Sequence, residues 1–326
     1  MQNVTDRAFH RVLAEIGPPD YFFTEYFAAH SSTRPDPEIL RSLTHNRTGR
    51  PVFAQILGSD PDAMAGWAKE LENYPSAGID LNLGCPAPKI YKRNAGGGLL
   101  RDPRRFDEII RRLRESLGGS FSVKCRLGFD DAEPFAACIE SVRQHQADFL
   151  TIHGRTVKQM YRGEVDYGSM KWAVNRLECP VFANGNLTSA SKTLEILAET
   201  GCAGAMIGRS AIRNPWIFRQ IRELSKGMAP FEPKLGDVRN YIERLYEAKV
   251  RPGVESRFLI AHLKRYLIFV GEGVDPAGAF LFDIRRVRDE TDLFRICDKH
   301  LVENGSREKP FSPEPYQGVT ARPNCE

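Results

Sequence analysis

Along the chain, short apolar runs rich in β-branched and aromatic residues alternate with longer stretches whose apolar residues recur at helical spacing. The strand-like runs are YFFTEYF (21–27), PVFAQILG (51–58), IDLNLGC (79–85), FSVKCRLGF (121–129), FLTIHGRT (149–156), PVFANGNL (180–187) and AGAMIGRS (203–210). Their near-continuous apolar character predicts parallel strands buried on both faces. Between them, PDAMAGWAKELENY, PRRFDEIIRRLRESL, PFAACIESVRQHQ and SASKTLEILAET carry the period of amphipathic helices. A repeating strand–helix order predicts the α/β class, either a doubly wound sheet or a (β/α)8 TIM barrel. The barrel is favoured because polar or glycine residues recur at the C-terminal ends of the strands: Gln55, Cys85, Lys124, His153, Asn184 and Arg209. In a barrel all of those ends open onto one face, where ligands bind.

Beyond residue 235 the strand signal stops. Segments 236–250, 254–271 and 278–302 read as helices, so the chain divides into a barrel (1–235), a small helical domain (236–303) and a polar, proline-containing tail (304–326) expected to be poorly ordered. Only seven strands are visible where a barrel needs eight. The chain runs from Met1 directly into a helical MQNVTDRAFHRVLAEIG pattern, so the first strand is expected upstream and missing from this chain, leaving an open edge.

Composition narrows the function only slightly. At 326 residues, 41% hydrophobic and 27% charged, no run approaches the ~20 apolar residues of a membrane span, and the N-terminus lacks a signal-peptide pattern. A cytoplasmic location and a monomer are the default expectations. The seven cysteines are widely spaced with no C-x-x-C pair, which argues against a disulfide framework and against a metal site. A formal charge of +4 carries no nucleic-acid signal by itself. Basic residues do cluster locally, at Lys89, Lys92, Arg93, Arg101, Arg104 and Arg105, and again at Lys264-Arg265 and Arg285-Arg286-x-Arg288.

Cys85 lies between Gly84 and Pro86 at a strand's C-terminal mouth. It is either a small core residue or a thiol placed to exchange a proton. A thiol ordinarily titrates near pH ~8.5 and is protonated at neutral pH, which suits a proton donor. Lys124 and Arg126, with His153 and Arg155 on the next strand, put four cationic or potentially cationic groups on one mouth, a costly arrangement that an anionic ligand would relieve. ANGNL (183–187) and IGRSA (207–211) place glycines at strand ends before helices, in the strands that commonly hold phosphate in such barrels. Gly96-Gly97-Gly98 matches neither a P-loop nor a dinucleotide fingerprint and reads as a mobile loop, a lid beside Cys85.

DLNLGCPAPKIYKRNAGGGLLRDP, SVKCRLG, TIHGRT, ANGNL and IGRSA, in this order, resemble the flavin-dependent tRNA-dihydrouridine synthases, strongly over residues 1–225 and more loosely beyond. The resemblance implies reduction of uridine to 5,6-dihydrouridine in a tRNA loop, the D-loop, with FMN reduced by NADPH (or NADH). It implies Cys85 as proton donor and Asn82, Arg126, Arg155 and Tyr161 on the substrate side. Met1, Gln55, Lys124, His153, Asn184, Gly185, Asn186, Gly208 and Arg209 would contact FMN. YFFTEYF is similar to the second strand of bacterial members that modify position 16. Two other readings stay open here: an FMN barrel acting on a free pyrimidine or small enone, and a catalytically inactive RNA-binding protein.

Overall fold

The computed structural model describes residues 1–30, 32–251 and 253–319. Eight short parallel strands form one sheet: β1 (Phe22–Phe23), β2 (Phe27–Ala28), β3 (Val52–Leu57), β4 (Ile79–Leu83), β5 (Phe121–Arg126), β6 (Phe149–His153), β7 (Val181–Asn184) and β8 (Gly204–Ala205). β1 and β2 both pair with β3 and together fill one barrel position. The expected single strand at 21–27 is broken there because the Thr24 hydroxyl, not a backbone carbonyl, accepts the Gln55 N–H at 3.0 Å.

The sheet curls as a barrel but among the described residues does not close, since β8 has no ladder to β1. Residues 1–4 run across this gap at its C-terminal end. The Tyr26 N–H donates to Gln2 Oε1 and the Val4 N–H to Glu25 Oε1, while the Met1 sulfur sits 3.6 Å from where a Gly208 Cβ would lie.

Side chains alternate along every strand. The outward set, including Ala54, Ile56, Ile79, Leu81, Val123, Leu150 and Ile152, has no exposed surface and packs under the helices. The inward set begins with an aromatic plug: Phe53 lies 5.3 Å from Phe23 and 5.2 Å from Phe149, and Phe149 lies 5.2 Å from Phe182. Gly204 is required opposite, because a Cβ there would stand 2.9 Å from the Phe182 ring. Above the plug the inward positions turn polar, with Gln55, Asp80, Asn82, Ser122, Lys124, Thr151, His153 and Asn184 stacked toward the mouth.

The surrounding helices start on side-chain caps. Asp6 caps α1 (Arg7–Ile16), Asp60 α3 (Pro61–Leu71), Asp102 α5 (Pro103–Ser116) and Ser189 α8 (Ala190–Thr200), each accepting an N–H of the first turn. α6 (Phe135–Gln144) occupies its expected place, whereas α2 (Pro37–Thr44) and α7 (Tyr167–Val174) lie in stretches not read as helical. Past β8, α9 (Arg209–Arg213) and α10 (Ile217–Ser225) lead into α11 (Leu235–Lys249), α12 (Ser256–Val270), α13 (Ala279–Ile284) and α14 (Glu290–Leu301). α11 packs on α1 and α12 on α9, so the helical part shares the barrel's core. Among the described residues no helix is long and apolar enough to cross a membrane.

Two expectations change. Residues 304–319 are packed, not poorly ordered. Phe311 is 2% exposed and covers Gly273, Pro310 bridges to Lys234, and Arg213 donates to the carbonyls of Ser312 and Pro313 at 3.0 and 2.7 Å. Residues 320–326 lie outside the described residues.

The glycine triplet is likewise not a loose lid. After α4 (Pro88–Tyr91), residues Gly96–Arg101 form a buried 3-10 turn against the strand end, with the Gly97 N–H donating to the Cys85 carbonyl at 3.2 Å. A Cβ on Gly97 would stand 2.5 Å from Val157 Cγ2 and 2.8 Å from the Cys85 carbonyl oxygen, and one on Gly98 2.6 Å from the Tyr91 carbonyl oxygen. These glycines permit close approach; they do not loosen the chain. Gly97→Ala is therefore expected to cost about 1–3 kcal/mol in urea-induced unfolding, whereas Gly118→Ala, where a Cβ would meet nothing within 4 Å, is expected to stay within about 0.5 kcal/mol.

Candidate active site

The site is the C-terminal mouth of the sheet. Cys85 follows β4 and is half-buried. Its position is set by Asn82, whose Oδ1 accepts the backbone N–H of both Gly84 (3.0 Å) and Cys85 (2.9 Å), closing the turn that ends the strand. The Asn82 amide donates to Gln55 Oε1 at 2.8 Å, and Gln55 Nε2 donates to Asp80 Oδ2 at 2.7 Å. Ser122 completes the chain by donating to Asp80 Oδ1 at 2.7 Å. Burial raises the Asp80 pKa to about 6, against the opposing pull of these two donors and of the Lys124 charge.

Lys124 lies beside this chain, its ammonium 3.2 Å from Asn184 Oδ1, and Asn184 in turn donates to the Met206 carbonyl at 2.7 Å. Burial, and then the charge of Arg126, lower the Lys124 pKa to about 8. His153 closes the row. Burial, followed by the charges of Arg126, Lys124, Arg155 and Arg209, drives its pKa far below the ordinary value, so it is a neutral imidazole. Thr151, on the same inward face, has a fully buried hydroxyl with no hydrogen-bond partner among the described residues.

The two arginines expected on the substrate side are instead bound into the fold. Arg126 is 1% exposed and donates to the carbonyls of Gly84 (2.9 Å), Thr156 (2.8 Å) and Met160 (2.8 Å). Arg155 is also 1% exposed and donates to the Gly163 carbonyl at 3.1 and 2.7 Å and to Asn186 Oδ1 at 3.3 Å. Backbone oxygens therefore meet the cost of two charges for which an anionic ligand was expected, and His153 carries no charge at all. Tyr161 is half-buried beside Arg209, whose guanidinium lies 4.5 Å from the ring centre, with that of Arg126 at 5.6 Å.

Of the remaining expected residues, Gly185 has φ +115°, and a Cβ there would stand 3.1 Å from His153, so glycine is required. Asn186 is exposed at the rim, with φ +45°. Gly208 faces open space except for the Met1 sulfur. Asp80, Ser122 and Thr151 were not singled out from the sequence. The signal for the first was available, since D-x-N in IDLNLGC puts Asp80 on the same inward face as Asn82.

A basic groove lies elsewhere. A cavity of about 490 Å³ between α12 and the turn after α13 is lined by Arg257, Lys264, Arg265, Arg285 and Arg288 with Ile260, Ala261, Ile268 and Val287. The two basic clusters seen in the sequence therefore do share one face, and no carboxylate lines it.

The family model for dihydrouridine synthase (Dus) matches residues 1–268. The chain belongs to the dihydrouridine synthase family. It is 30% identical over 306 residues to the tRNA-dihydrouridine(16) synthase of Neisseria meningitidis serogroup A, covering 91% of this chain and 92% of that one. It is 32% identical over 285 residues to tRNA-dihydrouridine synthase B of Pasteurella multocida, covering 86% and 84%. The solved structure of a 2-naphthoyl-CoA reductase bound to 2-naphthoyl-CoA superposes with a TM-score of 0.50 at 13% identity, over 69% of this chain and 47% of that one, a likeness of fold alone.

The buried histidines have a consequence for stability. His10, 3% exposed and with its pKa lowered to about 4 chiefly by burial, behaves like His153. The unfolded chain takes up protons near pH 6.5 that the folded state refuses, so stability falls as pH drops. From pH 7 to 5 the unfolding free energy is expected to fall by about 2 kcal/mol for each of the two. His10→Gln should flatten the slope measured by urea titration at the two pH values.

Proposed function

We propose that this chain reduces uridine to 5,6-dihydrouridine in tRNA, with FMN as its flavin and NADPH (or NADH) as reductant. The observation that carries this reading is the half-buried Cys85, held at the end of β4 by Asn82 on the same mouth as Gln55, Lys124, His153 and Asn184.

The residues present fit a flavin mononucleotide. Lys124, Gln55 and Asn184 bring a cation and two amides to one inward layer, the donor set that a heterocycle with ring carbonyls requires. Gly208 leaves room where a side chain would protrude, and Met1 borders the same space. These residues, with His153, Gly185, Asn186 and Arg209, would hold the group. When bound, FMN would supply the hydride that the uracil ring receives at C6.

The chain's own part is to orient the base and deliver a proton. Cys85 donates its thiol proton to C5, which carries the electron pair released as the C5=C6 bond is saturated, and recovers a proton from solvent. The Asn82 side chain spends its oxygen on the turn, leaving its second amide hydrogen for a base. Lys124 keeps its positive charge below pH about 8 and opposes negative charge building up near it. Tyr161 and Arg209 flank the opening, where an extruded base would stack.

RNA contact is assigned to the basic groove of α12 and α13, where Arg257 pairs with Glu255 and Lys264 and Arg265 donate to backbone carbonyls, so that the lining carries a net positive charge. The target uridine has to leave its stack to reach Cys85, which costs least in a flexible loop.

Cys85→Ser is expected to reduce dihydrouridine formation at least a hundredfold while changing flavin reduction by NADPH less than twofold, measured by stopped-flow absorbance and by mass spectrometry of tRNA nucleosides. Equal loss of both steps would count against the donor role, and absence of dihydrouridine from tRNA treated with reduced wild-type flavoprotein would overturn the function. Lys264→Glu with Arg288→Glu should weaken tRNA binding at least tenfold and flatten its dependence on salt, leaving flavin content unchanged.

A further inference from the structure

Asp80 takes no part in the mechanism above, yet it has no exposed surface and sits at the origin of the chain that ends on Cys85. We infer that Asp80 is a positioning residue for Cys85, acting through Gln55 and Asn82; this rests on the reading of Cys85 as proton donor only for its catalytic consequence.

A carboxylate offers acceptors alone, so Gln55 must turn its Nε2 toward Asp80 Oδ2 (2.7 Å) and its Oε1 away. That oxygen then requires a donor, and receives Asn82 Nδ2 at 2.8 Å. Asn82 is thereby left with its Oδ1 toward the N–H groups of Gly84 and Cys85. The two amides are nearly the same shape either way round, so shape alone does not set their direction. With both of them reversed, Gln55 and Asn82 would still pair, but Asn82 Nδ2 would face two backbone donors and the turn carrying the thiol would open. Asp80, which would then face Gln55 Oε1, penalises that reversed arrangement at one end of the chain as the two N–H groups do at the other.

A stabilising role alone explains Asp80 poorly. Burial holds its pKa up at about 6, a mark of the cost of the charge, and a leucine would fill a core position without that cost. The geometry gives the carboxylate a directional task that an apolar residue cannot perform.

The test reads Cys85 directly. Site-resolved alkylation by iodoacetamide, followed by mass spectrometry of the purified flavoprotein, compares Cys85 with Cys179, which is also half-buried but precedes β7, away from this chain of hydrogen bonds. Asp80→Leu is expected to change the Cys85 rate at least fivefold and leave Cys179 within twofold. Asp80→Asn is expected to keep Cys85 within twofold, since its oxygen can face Gln55 while its amide donates to Ser122. Should the leucine variant not fold, Asp80→Asn combined with Ser122→Ala takes its place, because without the Ser122 oxygen the new amide loses its fixed direction; the same fivefold change is expected. Unchanged Cys85 reactivity in every folded variant, or a parallel shift at Cys179, would overturn the proposal. A changed Cys85 rate with undiminished dihydrouridine formation would uphold the positioning and overturn the donor role of Cys85 instead.

Discussion

A carboxylate with no access to water must find its partners inside the protein, and at the centre of this sheet Asp80 finds them in Ser122 and Gln55. Much of the site follows from that requirement. The donors that satisfy Asp80 are themselves inward residues of neighbouring strands, so the hydrogen bonds that neutralise the cost of burial also tie β3, β4 and β5 together above the aromatic plug. The same alternation that sends Ile79, Leu81 and Leu83 outward to the helices sends Asp80 and Asn82 inward. One strand of five residues therefore serves the core on one face and the polar inward layer on the other.

Charge at the mouth is handled by a division of labour. Arg126 and Arg155 are spent on backbone carbonyls, which pins the segment 156–163 over the strand ends. Burial, followed by the charges of Arg126, Lys124, Arg155 and Arg209, keeps His153 neutral, and burial with the charge of Arg126 depresses Lys124. Lys124 is thus the inward cation nearest the hydrogen-bonded layer. Its ammonium bonds an amide oxygen, and among the described residues it forms no ion pair within 4 Å, the Asp80 charge acting on it from farther off.

The strand order and the barrel class could be read from the sequence, because buried parallel strands and their polar C-terminal ends leave a period that survives without any knowledge of contacts. Other features left no such trace. Gly96-Gly97-Gly98 looked mobile because glycine permits mobility. Only the approach of Val157, Tyr91 and the Cys85 carbonyl shows that these glycines serve close packing. That Arg126 and Arg155 act as struts leaves no trace in the sequence, since their carbonyl partners on residues 156–163 are brought to them only by the path of the loop after β6. The tail misled through its composition: its prolines and charges concealed Phe311 and Tyr316, which dock on the turn after α12. The D-x-N spacing puts Asp80 on the inward face, but a lone acid in a strand has no signature until its partners are known.

The helical part and the mouth are joined through the first six residues. Lys249 of α11 forms a 2.7 Å ion pair with Asp6, Tyr266 of α12 donates to the Val4 carbonyl, and Arg265 donates to the Asn3 carbonyl at 3.2 Å. Lys249 is buried, so this pair is not screened as a surface contact would be. Arg265 also lines the basic groove, and the segment it holds carries Met1 to Gly208 at the mouth. Residues 1–4 thus touch both the groove-lining Arg265 and the mouth, and they lie at the open edge of the sheet between β8 and β1.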